Sequence, residues 1–317
     1  MTPAPIRRLG SSGLSIAPLV LGGNVFGWTA DRAASFAVLD AFVAGGGTMI
    51  DTADVYSAWA PGNRGGESET IVGEWLRTSG KRDRVLIATK VGLLPGDGGE
   101  KLEPARIAAA CDASLRRLGT DRIDLYFAHR DDPHTPLADT LGAFGRLVKA
   151  GKVRAIGASN YDVARLREAR ALSDAHGLPR FDVLQPEYNL VSRGFEDAER
   201  DFCVAGDVGV VTYSSIAAGF LTGKYRTRDD LERSVRGGRM GKVFDGKGPA
   251  VLAAMDDVAD ATGATLAQIA LAWLLAKPGV TAPIASATGT GQLDDLLGAM
   301  TLTLGADQVA ALDASGA

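Results

Sequence analysis

The sequence predicts an α/β protein, a single (β/α)8 barrel over residues 1–317 with an N-terminal β-hairpin and an extended loop after strand 7. Three observations predict it. Eight short, β-rich apolar runs recur roughly every 30 residues, the length of a strand plus its crossover helix. The segments between them carry apolar residues at spacings of three and four. No Gly-x-Gly-x-x-Gly follows the first run, which disfavours a doubly wound open sheet.

Ahead of the first run, RRLGSSGLSI has a polar turn at Ser11-Ser12-Gly13 and reads as a hairpin able to plug the bottom of a barrel. The runs are PLVLGG (18–23), TMID (48–51), VLIATK (85–90), DLYFAH (124–129), VRAIGAS (153–159), FDVLQP (181–186), VVTYSS (210–215) and TAPIASA (281–287). Several are apolar without alternation, as strands covered on both faces should be. Phe36, Leu39, Phe42 and Val43 form a helical stripe that stops at Gly45-Gly46-Gly47. Ile71, Val72, Trp75 and Leu76 form another before Gly80, with Glu67 and Glu69 suiting the positive end of its helix. Pro104 marks a helix start ahead of Ile107, Cys111 and Leu115, and Leu137, Leu141, Phe144 and Val148 make a stripe closed by Gly151. These stripes are core. The spacing breaks once, after 210–215, where an Arg-rich stretch (224–248) is inserted. In a barrel that stretch lies on the face where loops cover ligands.

Apolar residues make up 46% of the chain, enough for a large core, and the net charge of −4 lacks the basic footprint of a nucleic-acid binder. No run approaches the roughly 18 apolar residues of a membrane span, and no apolar segment follows the two N-terminal arginines. Cys111 falls in an apolar helical pattern, so a buried thiol is expected rather than a bridge, and a reducing cytoplasm fits. No spacing suggests a metal site. An evenly charged exterior is compatible with a monomer or an assembly.

Four residues at strand ends carry the chemistry: Asp51, Tyr56, Lys90 and His129. Adjacent barrel strands would bring them to one mouth, at the C-terminal face where such barrels hold their sites. A free tyrosine has a pKa near ~10 and is a weak acid at neutral pH; a nearby ammonium would lower that value. Asp51 would pair with Lys90, and a neutral His129 could orient a carbonyl oxygen. Each residue type alone is ordinary. Four of them at one mouth point to redox chemistry on C=O groups. Side chains offer no hydride, so a nicotinamide cofactor is implied. Ser159 and Asn160 could bond its carboxamide, Gln185 could add a contact, and Tyr213 offers a flat face. The small, Gly-rich 214–225 stretch lets backbone N–H groups approach a pyrophosphate, with Lys224 as countercharge. The 286–297 stretch reads as a loop leading into a helix N-terminus, a natural phosphate site.

These stretches together, from LGSSGLS through DTADVY, GGESE, ATKVG, IGASN, LQPEYNL and YSSIAAGFLTGKY to QLDDLL, resemble the aldo-keto reductase family over the whole chain. GFLTGKY and the long insertion look like the branch of bacterial general-stress reductases and potassium-channel β subunits. The resemblance implies an NADPH-dependent reductase of aldehydes and ketones with Tyr56 as proton donor, Lys90 and Asp51 tuning it, and His129 placing the carbonyl. It also implies cofactor contacts at Gly23, Asn24, Asp51, Ser159, Asn160, Gln185 and Tyr213. Further contacts would come from Ser214, Ser215, Ile216, Ala217, Gly219, Leu221, Gly223 and Lys224, and from Ala285, Ser286, Ala287, Thr288, Gln292 and Asp295. The channel-subunit likeness carries a second reading, a nicotinamide-binding redox-sensing or regulatory subunit with slow turnover.

Two departures bear on specificity. Thr288 stands where family members commonly have an arginine, and Leu296 where they have an asparagine. An arginine fork is the natural partner of the NADPH 2′-phosphate, so its absence opens the way to NADH unless another arginine, Arg236 first, replaces it. The 57–69 loop is longer than the compact family pattern and carries Trp59. With Trp28 it would line a substrate pocket suited to apolar or ring-shaped carbonyl compounds.

Overall fold

The computed structural model describes residues 4–99, 101–232 and 237–316. A two-stranded antiparallel hairpin comes first, β1 (Arg7–Arg8) and β2 (Ser15–Ile16), with Gly13 left-handed at φ 71° in the connection. Eight parallel strands then close a barrel: β3 (Val20–Gly22), β4 (Met49–Asp51), β5 (Leu86–Val91), β6 (Ile123–Ala128), β7 (Val153–Ser159), β8 (Val183–Gln185), β9 (Gly209–Thr212) and β10 (Ala282–Ala285). Strand β10 pairs with both β3 and β9, which completes the ring in chain order. The expected (β/α)8 barrel with its hairpin is the observed fold.

Six helices fill the connections up to β9: α1 (Arg32–Ala44), α2 (Glu67–Ser79), α3 (Pro104–Leu118), α4 (Leu137–Lys149), α5 (Val163–His176) and α6 (Ala198–Ala205). Their boundaries follow local chemistry. Asp31 and Asp162 accept hydrogen bonds from backbone N–H groups at the starts of α1 and α5, and α3 begins at Pro104. Gly80 and Gly119 end α2 and α3 in the left-handed region. Between β9 and β10 lie a 3-10 turn (Ala217–Thr222), α7 (Arg228–Glu232), a second 3-10 turn, α8 (Gly241–Asp245), α9 (Gly248–Thr262) and α10 (Leu266–Ala276). The chain ends with α11 (Thr290–Gly298) and α12 (Ala306–Ser315).

Two cores result. The outer one packs helices on the barrel wall, with Trp75, Phe144, Met255 and Trp273 buried. The inner one fills the barrel with Val20, Met49, Leu125, Phe127, Val183 and Val211, and takes Leu9, Leu14 and Ile16 from the hairpin as its floor. The hairpin therefore plugs the bottom. Cys111 and Cys203 are both free and buried, and burial pushes each thiol up to about 12. No single described helix is long and apolar enough to cross a membrane; α9 and α10 are apolar together but bent by 96°.

Candidate active site

Side chains on a strand point inward at every second residue. Met49, Ala88, Phe127, Val183, Val211 and Ile284 point into the inner core. Two residues further along each strand come Asp51, Lys90, His129, Gln185, Tyr213 and Ser286. The same alternation continues past β3 and along β7 to Asn24 and Ser159. All of these except the fully buried Lys90 line one cavity of about 500 Å³ at the C-terminal mouth. Period-two geometry thus gathers residues far apart in sequence.

Tyr56 arrives differently, from the loop after β4. Its N–H bonds Ala53 O at 3.1 Å, and Ser57, left-handed at φ 72°, anchors the turn by donating to Phe26 O at 2.7 Å. Asn63 holds the longer loop through bonds to Gly27 O and Ser57 O. That loop puts the exposed Trp59 5.7 Å from Trp28, edge to face, and 6.1 Å from the Tyr56 ring.

At the floor of the cavity Lys90 Nζ spends all three protons. It donates to Asp51 Oδ2 at 2.6 Å, Thr52 O at 2.8 Å and the Tyr56 hydroxyl at 2.8 Å. Tyr56 donates to Asp51 Oδ2 at 3.1 Å, and Gln185 Nε2 donates to Asp51 Oδ1 at 2.9 Å. Lys90 and Asp51 form an ion pair almost wholly out of solvent. Burial lowers the Lys90 ammonium, opposed by Asp51. The expected lowering of the Tyr56 phenol by that ammonium is outweighed. Burial first, then the Asp51 carboxylate, push it well above its ordinary value. The reason is local neutrality: Asp51 cancels the Lys90 charge before the phenol can feel it. A phenol so placed keeps its proton at neutral pH and has it to give.

His129 lies 6.0 Å from the Tyr56 ring, centre to centre. Burial, then Lys90 and Arg130, hold the imidazole far below its usual range, so it is neutral, and its Nδ1 has no hydrogen-bond partner among the described residues. Asn160, left-handed at φ 54°, donates to His129 O at 2.8 Å and accepts from the Tyr213 hydroxyl at 2.8 Å. Ser159 donates to Gln185 O at 2.8 Å.

The donor set fits a nicotinamide cofactor. Ser159, Asn160 and Tyr213 offer hydroxyls, an amide and a ring side by side, and Ser214, Ser215 and Ile216 continue the same wall. Gly22 sits where a Cβ would come 2.5 Å from Ser286 Oγ, so the chain there is as slim as a strand can be. Lys224 lies over Gly219 and 4.8 Å from the Tyr225 ring, with no ion-pair partner among the described residues.

Not every expected contact reaches the cavity. Gly23 turns its N–H to Asp51 O at 2.7 Å, and it is Gly22 that lines the wall. The side chains of Ala217, Leu221 and Ala287 are buried in the outer core, leaving only backbone for a ligand. Gly219 and Gly223 shape the 3-10 turn rather than the wall, which Ala218 joins. Gln292 accepts from the N–H and hydroxyl of Thr288 at 2.9 and 3.1 Å. Asp295 turns away to accept from Thr265 at 2.5 Å, at the start of α10. Arg236 lies outside the described residues. Conversely, Leu93, Arg130 and Ile284 line the cavity without having been singled out. For Arg130 the signal was its place directly after His129. Among the described residues no group of three His, Cys, Asp or Glu side chains could hold a metal ion.

The aldo/keto reductase family model matches residues 18–317. The chain belongs to that family. This aldo/keto reductase is 34% identical to the aldo-keto reductase str7 of Strobilurus tenacellus, over 98% of this chain and 91% of that one. It is 31% identical to the protein tas of Escherichia coli, over 97% and 96% of the two chains. It is 32% identical to the aldo-keto reductase YhdN of Bacillus subtilis, over 90% and 84%. Family membership makes the protein an oxidoreductase that uses a nicotinamide cofactor on carbonyl compounds.

Proposed function

We propose that the protein reduces aldehydes and ketones with NADPH, taking the proton from Tyr56. The observation that carries this is the Tyr56 hydroxyl held between Lys90 Nζ and Asp51 Oδ2 on the wall of the cavity. A nicotinamide cofactor bound beside it supplies the hydride. Tyr56 gives its proton to the oxygen of the former carbonyl, and the phenolate left behind faces the Lys90 ammonium at 2.8 Å, which stabilises it. Asp51 keeps that ammonium charged and in place. Neutral His129 donates an N–H to the carbonyl oxygen without losing its own proton, so it orients rather than acidifies. The two indoles at the rim favour an apolar or ring-shaped substrate.

NADPH over NADH rests on positive charge. Lys224 carries an ammonium with no ion-pair partner among the described residues, and Arg236 of the insertion is the arginine proposed for the 2′-phosphate, since position 288 offers only a hydroxyl and an N–H. Two free thiols, both buried, fit a reducing cytoplasm. The test is a fluorescence titration comparing NADPH with NADH, followed by a panel of aldehydes and ketones with the preferred cofactor. Tighter NADPH binding and steady turnover are expected. No cofactor consumption with any carbonyl compound, despite tight binding, would favour the regulatory-subunit reading instead.

A further inference from the structure

Arg130 follows His129 directly and lines the same cavity as Trp28, Trp59 and Leu93. Its side chain is exposed, and it makes no hydrogen bond or ion pair with any described residue. The two carboxylates next to it in sequence are both taken. Asp131 is gripped by the fork of Arg165 at 2.8 and 2.9 Å. Asp132 accepts from the Thr135 hydroxyl at 2.7 Å and from the N–H groups of His134 and Leu102 at 3.1 and 3.4 Å. The other charged side chain on the cavity wall is Asp51, whose charge Lys90 cancels at 2.6 Å. Arg130 is therefore the one uncompensated formal charge among the described residues that line the cavity. Its field reaches the rings of both His129 and Tyr213.

The wall presents three recognition elements: a proton donor at the floor, two indoles set edge to face, and a free guanidinium beside the imidazole. A planar fork of donors matches a carboxylate, and a carboxylate bound there leaves no other acid of the wall to repel it. The geometry points to a substrate that is a ring-bearing aldehyde or ketone carrying a carboxylate, with Arg130 as the residue that selects the charge. This rests on the reading of the cavity as a carbonyl-reductase site. The carbonyl goes to Tyr56 and His129, the ring to Trp28 and Trp59, and the carboxylate to Arg130.

The experiment compares 4-formylbenzoate with its methyl ester, using the protein with its preferred cofactor, in the wild type and in Arg130→Leu and Arg130→Lys. The wild type is expected to favour the acid in kcat/KM by on the order of tenfold, through KM more than kcat. In Arg130→Leu the ratio of the two kcat/KM values collapses to about one, and Arg130→Lys keeps part of it, because a point charge lacks the fork. Raised salt lowers the wild-type ratio in the same direction. An equal preference in the wild type, or a preference that survives in Arg130→Leu, overturns the inference. So does a loss of cofactor affinity in Arg130→Leu by fluorescence titration, which would assign the guanidinium to a cofactor phosphate. Absence of turnover with the acid, the ester and every other aldehyde is a different result, and it overturns the carbonyl-reductase reading beneath this one.

Discussion

The two ends of the barrel interior are made by the same strands and carry opposite chemistry. At the N-terminal end the inward positions are Met49, Ala88, Phe127, Val183 and Val211, floored by Leu9, Leu14 and Ile16. One inward step further along, about 7 Å on a strand, they become Asp51, Lys90, His129, Gln185 and Tyr213. The apolar end is stabilised by packing and has nothing to react with. The polar end has reactive groups, of which Asp51, Lys90, Gln185 and Tyr213 are held by side-chain hydrogen bonds, and the Lys90–Asp51 pair sits at the border. The difference shows how one scaffold separates stability from chemistry within a few ångströms: the strand backbone is common, and only the side chain at alternate positions changes.

Five substitutions test that separation. Tyr56→Phe should break the chemical end alone: carbonyl reduction falls by about 10²–10⁴-fold while cofactor affinity and the denaturation midpoint stay as in the wild type. Undiminished turnover would remove Tyr56 from the mechanism. Lys90→Met should damage both ends at once. It abolishes most activity and leaves Asp51 buried without its ion, a destabilisation of roughly 3–5 kcal/mol in urea unfolding. Adding Asp51→Asn should restore part of the stability and none of the activity. Leu125→Ala should break the apolar end alone, lowering stability by about 2–5 kcal/mol while the folded fraction keeps its kcat. A large kcat loss there would mean the two ends are coupled.

The fifth concerns Asp54, which is buried yet belongs to neither end. Among the described residues neither of its carboxylate oxygens meets a side-chain hydrogen-bond donor, and the Arg106 guanidinium stands 3.9 Å away. Burial, then Glu69, raise its pKa to about 7, against the opposing pull of Arg106 and Arg117. A folded-state pKa above the unfolded one stabilises the fold at low pH, and that contribution fades as pH rises through the folded value. The wild type should therefore lose stability relative to Asp54→Asn between about pH 4 and pH 7, and the difference should level off above that window. Unfolding curves at several pH values measure it. A difference independent of pH would mean that Asp54 is ionised throughout.

The sequence alone determined the barrel, because its evidence is local. Strand runs, helical stripes, Pro104 at a helix start and Gly80 at a helix end follow from backbone geometry within a few residues, and α2, α3 and the eight barrel strands fall where those signals put them. It also determined that Asp51, Lys90 and His129 stand at neighbouring strand ends. Tertiary structure decided what those groups do to each other. Gln185 bonds Asp51, Lys90 uses every proton on Asp51, Thr52 and Tyr56, and the phenol is pushed up rather than down. Only closure of the ring sent Asp295 to Thr265 and left Arg130 on the cavity wall without a partner among the described residues, while its neighbour Asp131 went to Arg165. The physical reason is range. Periodicity is set by consecutive residues, whereas hydrogen-bond partners and burial are set by side chains from distant parts of the chain, which meet only once the barrel has closed.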